Sequence, residues 1–186
     1  MKMCAVILVL FLLFSGCSSP PSEMEIGMEL RSKLLQASGC SFDAVITADY
    51  GDKIHTFTMQ CSGDAKGDLS FTVTEPETIS GITGKLSGDG GNLTFGDTAL
   101  HFDLLAEEQL SPVSAPWILL KTLRSGYITS VCTEEDGVRL SIDDSYEADS
   151  LRLDIWLDRQ QLPVRAEIMY DGRRILSVAV ANFQIL

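Results

Sequence analysis

Along most of the chain apolar and polar residues alternate with a period of two, the pattern of strands buried on one face and wet on the other. Phe42, Ala44, Ile46 and Ala48 alternate with Asp43, Thr47 and Asp49. His55, Phe57, Met59 and Cys61 alternate with threonines and Gln60, and Leu69, Phe71 and Val73 with Ser70, Thr72 and Thr74. Ile79 to Leu86 reads as a further strand, weakened by Gly81 and Gly84 where a sheet can bend. Leu93 to Phe95 and Ala99 to Leu104 are short strands bounded by glycine turns at 88–91 and 96–97. The alternation resumes in Tyr127 to Thr133, Val138 to Asp143 and Leu151 to Leu157. Val164 to Tyr170 then leads through Asp171-Gly172, a type I′ hairpin signal, into Ile175 to Leu186. About ten or eleven strands joined by short turns predict a mainly β fold with α elements, built on one curved antiparallel sheet.

Two segments break the period of two. In Glu23 to Ser38, Ser22 can cap a helix with Glu25 three positions on, and Met24, Met28, Leu30, Leu34 and Leu35 approximate one apolar stripe before Gly39. Ser111 to Ile128 divides the strands into two sets, with Pro112 and Pro116 where a helix start tolerates a missing N–H. Trp117, Ile118, Leu119, Leu120 and Leu123 cover most of this helix within two turns. So short a helix must bury that arc against the strands or over a cavity they enclose.

The first residues read differently again. Met1 to Gly16 has one early charge, Lys2, then an apolar run from Cys4 to Phe14 and small residues, as an export signal does. The run falls short of the roughly 20 apolar residues that span a bilayer. Ser15-Gly16-Cys17 resembles a bacterial lipobox, with Phe14 where leucine is usual. The resemblance implies that Cys17 carries fatty acyl chains of the palmitate class; the other reading is a cleaved signal with Cys17 a bystander. Ser18 to Ser22 is an extended tether. Two or more acyl chains hold a protein stably on a membrane. The expected organisation is a lipoprotein signal peptide over 1–16, the lipidated cysteine and tether over 17–22, and a single domain over 23–186. That domain is expected as a monomer on the extracytoplasmic face of the cell membrane.

Charge and cysteines refine this picture. The formal charge is −12, and loss of Met1 to Gly16 removes only Lys2, leaving −13. Such a surface is repelled by phosphate backbones, which argues against nucleic acid as a partner. Beyond Cys17 the chain holds Cys40, Cys61 and Cys132, an odd number in a compartment that permits disulfides. A Tyr50-Gly51 hairpin loop sets Cys40 opposite Cys61 and allows a bridge. A Gly51-Asp52 loop, the better type II′ turn, leaves them diagonal at about 7–8 Å. Both alternatives stand at this point, beside the plainer one of two small buried residues, which is also the reading for Cys132.

Reactive constellations are sought and not found. His55 and His101 lack the partners of a metal site. No serine sits in a nucleophile elbow and no Cys-His pair is evident. The turn at 88–91 precedes a strand, not the helix a phosphate loop needs. Glu134-Glu135-Asp136 and Asp143-Asp144 fall in turns and read as solvated charge, with a weak calcium site as the rival. The expectation is a non-enzyme without metal or cofactor.

An N-terminal helix, about six meandering strands, a helical insert and about five more strands resembles the lipoprotein-carrier superfamily of LolA and LolB, LppX and LprG, and the N-terminal domain of RseB. Thr74-Glu75-Pro76, Ile79-Ser80-Gly81-Ile82 and Leu110-Ser111-Pro112 also resemble lipoproteins of Clostridia-type Firmicutes with this fold. The resemblance implies an eleven-stranded half-barrel whose apolar concave face holds acyl chains under a helical lid. Trp117, Ile118, Leu120 and Leu123 would then belong to the lid, and Phe57, Met59, Phe71, Val73, Leu153 and Ile155 to the cavity wall; otherwise they are ordinary core. Neither Arg124 nor Arg139 matches the single arginine that holds the LolA lid closed. The function implied is binding of a lipid or acyl chain. The alternative is a scaffold for a cell-envelope or spore cell-wall enzyme, as in germination lipoproteins of this fold.

Overall fold

The alternating segments form one antiparallel ladder in the computed structural model, which describes residues 23–102, 105–106, 109–147 and 150–186. The export signal, Cys17 and the tether through Ser22 lie outside the described residues. The main sheet takes β1 (Gly39–Asp49), β2 (Ile54–Asp64), β3 (Leu69–Glu75), β4 (Thr83–Ser87), β5 (Gly90–Phe95) and β6 (Thr98–Phe102) from the first half. After the small hairpin β7 (Leu105–Ala106) and β8 (Gln109–Leu110), it takes β9 (Tyr127–Glu134), β10 (Gly137–Asp143), β11 (Arg152–Leu157), β12 (Pro163–Tyr170) and β13 (Arg173–Ile185). Its order is β6-β5-β4-β3-β2-β1-β13-β12-β11-β10-β9, so eleven strands curve without closing. The last strand joins the halves, with Ala44 opposite Val180 and Ile46 opposite Val178.

Turn chemistry fixes the registers. Gly51 takes φ 89°, and Tyr50 N–H donates to the Lys53 carbonyl at 3.0 Å. This is the Gly51-Asp52 loop. Asp171 and Gly172 both have positive φ, 47° and 68°, as a type I′ turn requires. At 79–86 the expected strand begins late: Glu77–Ile79 is a 3₁₀ turn and Gly81 takes φ 86°. Pro76 and Gly81 together bend the chain before pairing starts at Thr83.

The concave face can be followed residue by residue because directly opposed residues share a side. One row runs Phe71, Gly84, Leu93, Leu100, and the next Leu69, Leu86, Gly91, Phe102. The Phe71 and Phe102 rings occupy the space that a Cβ would need at Gly84 and Gly91. An aromatic ring thus lies across each glycine.

Two helices cover part of this face. The first, α1 (Glu23–Gln36), buries Gly27, Leu30 and Leu34. This corrects the expected stripe, since Met24, Met28 and Leu35 point outward at 44%, 50% and 53% exposure. The cause is Gly27, where a Cβ would meet Ile128 Cδ1 at 3.0 Å and Leu140 Cδ2 at 3.3 Å. Without that side chain the helix settles close to β9 and β10 on its glycine side. The second helix is shorter than Ser111 to Ile128: a 3₁₀ turn, Pro112–Ser114, precedes α2 (Ala115–Ser125). No helix among the described residues is long and apolar enough to cross a membrane. Gly27→Val is expected to lower stability by about 1–3 kcal/mol through overpacking, whereas Met28→Ser stays within about 0.5 kcal/mol as an exposed change; urea denaturation of both variants checks this.

Candidate functional site

The helix expected as a lid lies on the concave face and is buried almost all round. Trp117, Ile118, Leu119, Leu120 and Leu123 are 7%, 5%, 0%, 3% and 2% exposed. The six wall positions, Phe57, Met59, Phe71, Val73, Leu153 and Ile155, are buried in the same apolar cluster. Met59, Leu153 and Ile155 have no accessible surface, so neither solvent nor a void of water size borders them. All ten expected residues thus lie within one contiguous buried cluster. Burial of side chains this size stabilises by about 1.5–3 kcal/mol each.

Directional bonds hold α2 in place, and sequence reasoning missed them because their acceptors are backbone carbonyls. Trp117 Nε1 donates to the Gly67 carbonyl at 3.0 Å, and Lys121 Nζ stands 5.6 Å from the Trp117 ring centre. Arg124 Nη2 donates to Ala65 O at 2.6 Å, and its Nη1 reaches Asp64 O and Leu34 O at 3.4 Å each. Arg31 of α1 answers from the other side, with Nε to Leu123 O at 2.8 Å and Nη2 to Gly126 O at 2.6 Å. Each helix thus has its C-terminal carbonyls capped by an arginine of the other, favourable for both the unpaired carbonyls and the helix dipole. The β2–β3 turn is prepared for this. Asp64 Oδ1 accepts from the backbone of Lys66, Gly67 and Asp68 at 2.9, 3.0 and 3.0 Å. Burial pushes the Asp64 carboxyl up, but these three backbone donors together with nearby Lys85 outweigh it and hold the carboxyl below its ordinary range.

At the β5–β6 end the same face is not covered by either helix. Leu93 and Phe102 are half-buried against the core, but Leu100 and Phe95 are 59% and 56% exposed. With Leu93 opposite Leu100 and Phe95 two residues along from Leu93, these side chains make a continuous apolar strip on the inner side. It ends at β6, an edge of the sheet.

The outer face is polar. A depression of about 500 Å³ is lined by Gln60, Ser62, Ser70, Thr72, Thr83 and Asn92 among others. A second, of about 670 Å³, lies by Val45, Thr58, Glu75 and Glu77. Asp136 of the first acidic turn is solvated, at 96% side-chain exposure, but two other carboxylates are engaged in structure. Glu134 accepts from Arg139 Nε at 2.9 Å and from Trp156 Nε1 at 3.0 Å. Asp144 Oδ1 accepts from Leu151 N–H at 2.8 Å, and its Oδ2 lies 3.9 Å from Lys121 Nζ. Among the described residues no three His, Cys, Asp or Glu side chains converge as metal ligands.

Cys40 pairs with Gly63, and Cys61 with Phe42. The two are therefore diagonal neighbours, and both thiols are free. The bridge considered from sequence is not formed in the structure, because the Gly51-Asp52 turn moves the partner of Cys40 two residues along, from Cys61 to Gly63. Burial pushes the Cys61 thiol far above its ordinary value, with nearby Asp43 and Cys40 acting in the same direction. Burial also raises Cys40, against lowering by the Gly63 backbone and Arg124. Cys132, expected buried, is half-buried on the outer face opposite Arg139.

The architecture is an open, curved antiparallel sheet of eleven strands with two helices on its concave face. Solved structures with a similar arrangement include a LolA superfamily protein from Nitrosomonas europaea, at 9% identity over 89% of this chain and 94% of that one, with a TM-score of 0.47. The Mycobacterium tuberculosis lipoprotein LppX is similar at 11% identity over 87% and 92%, with a TM-score of 0.41. MucB, in the Pseudomonas aeruginosa MucA/MucB complex, is similar at 12% identity over 85% of this chain and 56% of that one, with a TM-score of 0.41. No family model matches the chain, and no curated protein matches it.

Two outcomes are expected from this geometry. Arg124→Ala removes bonds from three carbonyls and should cost about 1–3 kcal/mol; faster amide hydrogen exchange in both α2 and the 64–67 turn, measured by mass spectrometry, checks it. Because Cys40 and Cys61 have raised pKa values, they stay protonated through neutral pH. At pH 8 Cys132 should therefore be alkylated by iodoacetamide first, with Cys40 and Cys61 following only as the protein unfolds.

Proposed function

We propose that this protein is a non-catalytic extracytoplasmic lipoprotein, anchored through Cys17, that binds a hydrophobic ligand such as a lipid or acyl chain on the concave face of its half-barrel. The observation that carries this reading is the uncovered strip Leu93, Phe95 and Leu100. It continues the apolar interior past the edge of the lid, so a ligand can seat there without displacing α2. The ten lid and wall residues then act as the back of the site. A longer chain would enter among them only by lifting α2 off Gly67 and Ala65. The domain acts as a monomer attached to the membrane by its lipid.

A second reading, a scaffold that holds an envelope protein partner, is favoured by the packed interior beneath α2. The same strip is then the place where apolar side chains of the partner bury. Phe95→Asp with Leu100→Asp separates folding from binding, since both positions are exposed. Native mass spectrometry with lipid extraction, on protein purified without detergent, should show copurified lipid. The double variant should fold normally and bind a fluorescent fatty acid about tenfold or more weakly, at roughly 1.5 kcal/mol or more for lost apolar contact. Wild-type protein that carries no lipid and takes up none would end the ligand reading in favour of the scaffold.

A further inference from the structure

The outward side of α1 carries apolar surface that the core does not use. Met24, Met28 and Leu35 are each close to half exposed. At 3.6 residues per turn they fall within an arc of about 40° and extend about 16 Å along the axis. The buried arc of Gly27, Leu30 and Leu34 is centred roughly 110° away. Arg31 lies between the two arcs, with its guanidinium turned to the carbonyls of Leu123 and Gly126. Single exposed apolar residues are ordinary, but an aligned row on one helix is the form of a contact surface.

Apart from Arg31, whose guanidinium is turned away to α2, the charges of α1 avoid this row. Glu25 projects about 80° from its centre, and Glu23 and Glu29 about 120°. Lys33 projects about 160° away and pairs with Glu29 at 2.8 Å. A flat apolar surface can therefore meet the row without taking a carboxylate or an ammonium with it.

We propose that this row docks on the surface of the lipid bilayer and lays α1 along it. The proposal rests on the anchor reading for Cys17. Only Ser18 to Ser22 separate that cysteine from α1, and fully extended they reach about 20 Å. A tether that short puts the helix at an effective concentration near millimolar to its own membrane, so three partly exposed side chains suffice to keep it there. A second copy of the chain or a protein partner has no such tether. The contact is apolar and the chain acidic, so it should form on zwitterionic lipid and resist added salt, unlike a contact made by basic residues.

The test uses the full chain, expressed with its signal and reconstituted in phosphatidylcholine vesicles. Mass spectrometry of the N-terminal peptide first establishes acylation of Cys17. An environment-sensitive fluorophore is then placed by Met28→Cys or by Gln36→Cys, each in a Cys132→Ser background. At position 28, reconstitution should shift emission to the blue and reduce iodide quenching severalfold, at low and high salt alike. Position 36 should change little, and Met24→Ser with Leu35→Ser should restore quenching at 28. An acylated protein whose position 28 stays as accessible to iodide on vesicles as off them overturns the docking and leaves the anchor standing. So does a dimer, seen by sedimentation, that protects position 28 without lipid. An unacylated Cys17 overturns both the anchor and the docking that rests on it.

Discussion

The contact between α2 and the concave face is the constraint on which the other features depend. A sheet of eleven strands that does not close has one apolar face, and the only other sheet among the described residues is the small hairpin β7–β8. Two short helices must do that work, and neither could persist alone in water at eleven or fourteen residues. This is why α2 is apolar nearly all round: the strands take one side and α1 the other. It is also why glycines stand at the points of closest approach. Gly63 leaves room for Leu120, whose Cδ1 lies 2.8 Å from where its Cβ would be, and Gly27 lets α1 down onto Ile128 and Leu140.

Much of this was legible in the chain. Half-buried strands write their burial as alternation, so the inward-facing residues from Phe57 to Ile155 were legible in the chain. Asp171-Gly172 likewise announces its turn through the φ values that glycine permits, whereas the residues around Gly51 left two loops open until the register decided for Gly51-Asp52. What could not be read were relations between distant segments. Helical spacing made Met24, Met28 and Leu35 part of a core-facing stripe, but which side a helix presents depends on the shape beneath it, and Gly27 decided that. The 3₁₀ turn at Glu77–Ile79 replaced the start of an expected strand because Pro76 and Gly81 act before pairing begins.

The candidate site shows the same division. Alternation gave the sign of each face but not its cover, so Leu93 and Leu100 looked no different from Leu153 and Ile155. Coverage ends between β4 and β6, where Leu86 is buried and Leu100 is largely exposed. The arginine contacts were equally silent, because a guanidinium that caps backbone carbonyls has no partner residue to find in the sequence. Arg124, which matches no known lid arginine by position, nonetheless ties α2 to the β2–β3 turn. In the acidic turns two carboxylates proved to be structural, Glu134 joining Arg139 to Trp156 and Asp144 bracing the loop before β11, while Asp136 is solvated as expected.

The exchange of caps between the two helices makes them one cooperative unit. If α1 leaves the sheet, α2 loses the arginine that closes its C-terminus; if α2 leaves, α1 loses Arg124 from Leu34. Neither helix can open at the cost of its own contacts alone, so partial opening of one is penalised by the other. The N-terminal helix, nearest the point where the chain would meet its anchor, is thus energetically linked to the helix that closes the interior. Whatever loosens the first shifts the opening equilibrium of the second in the same direction.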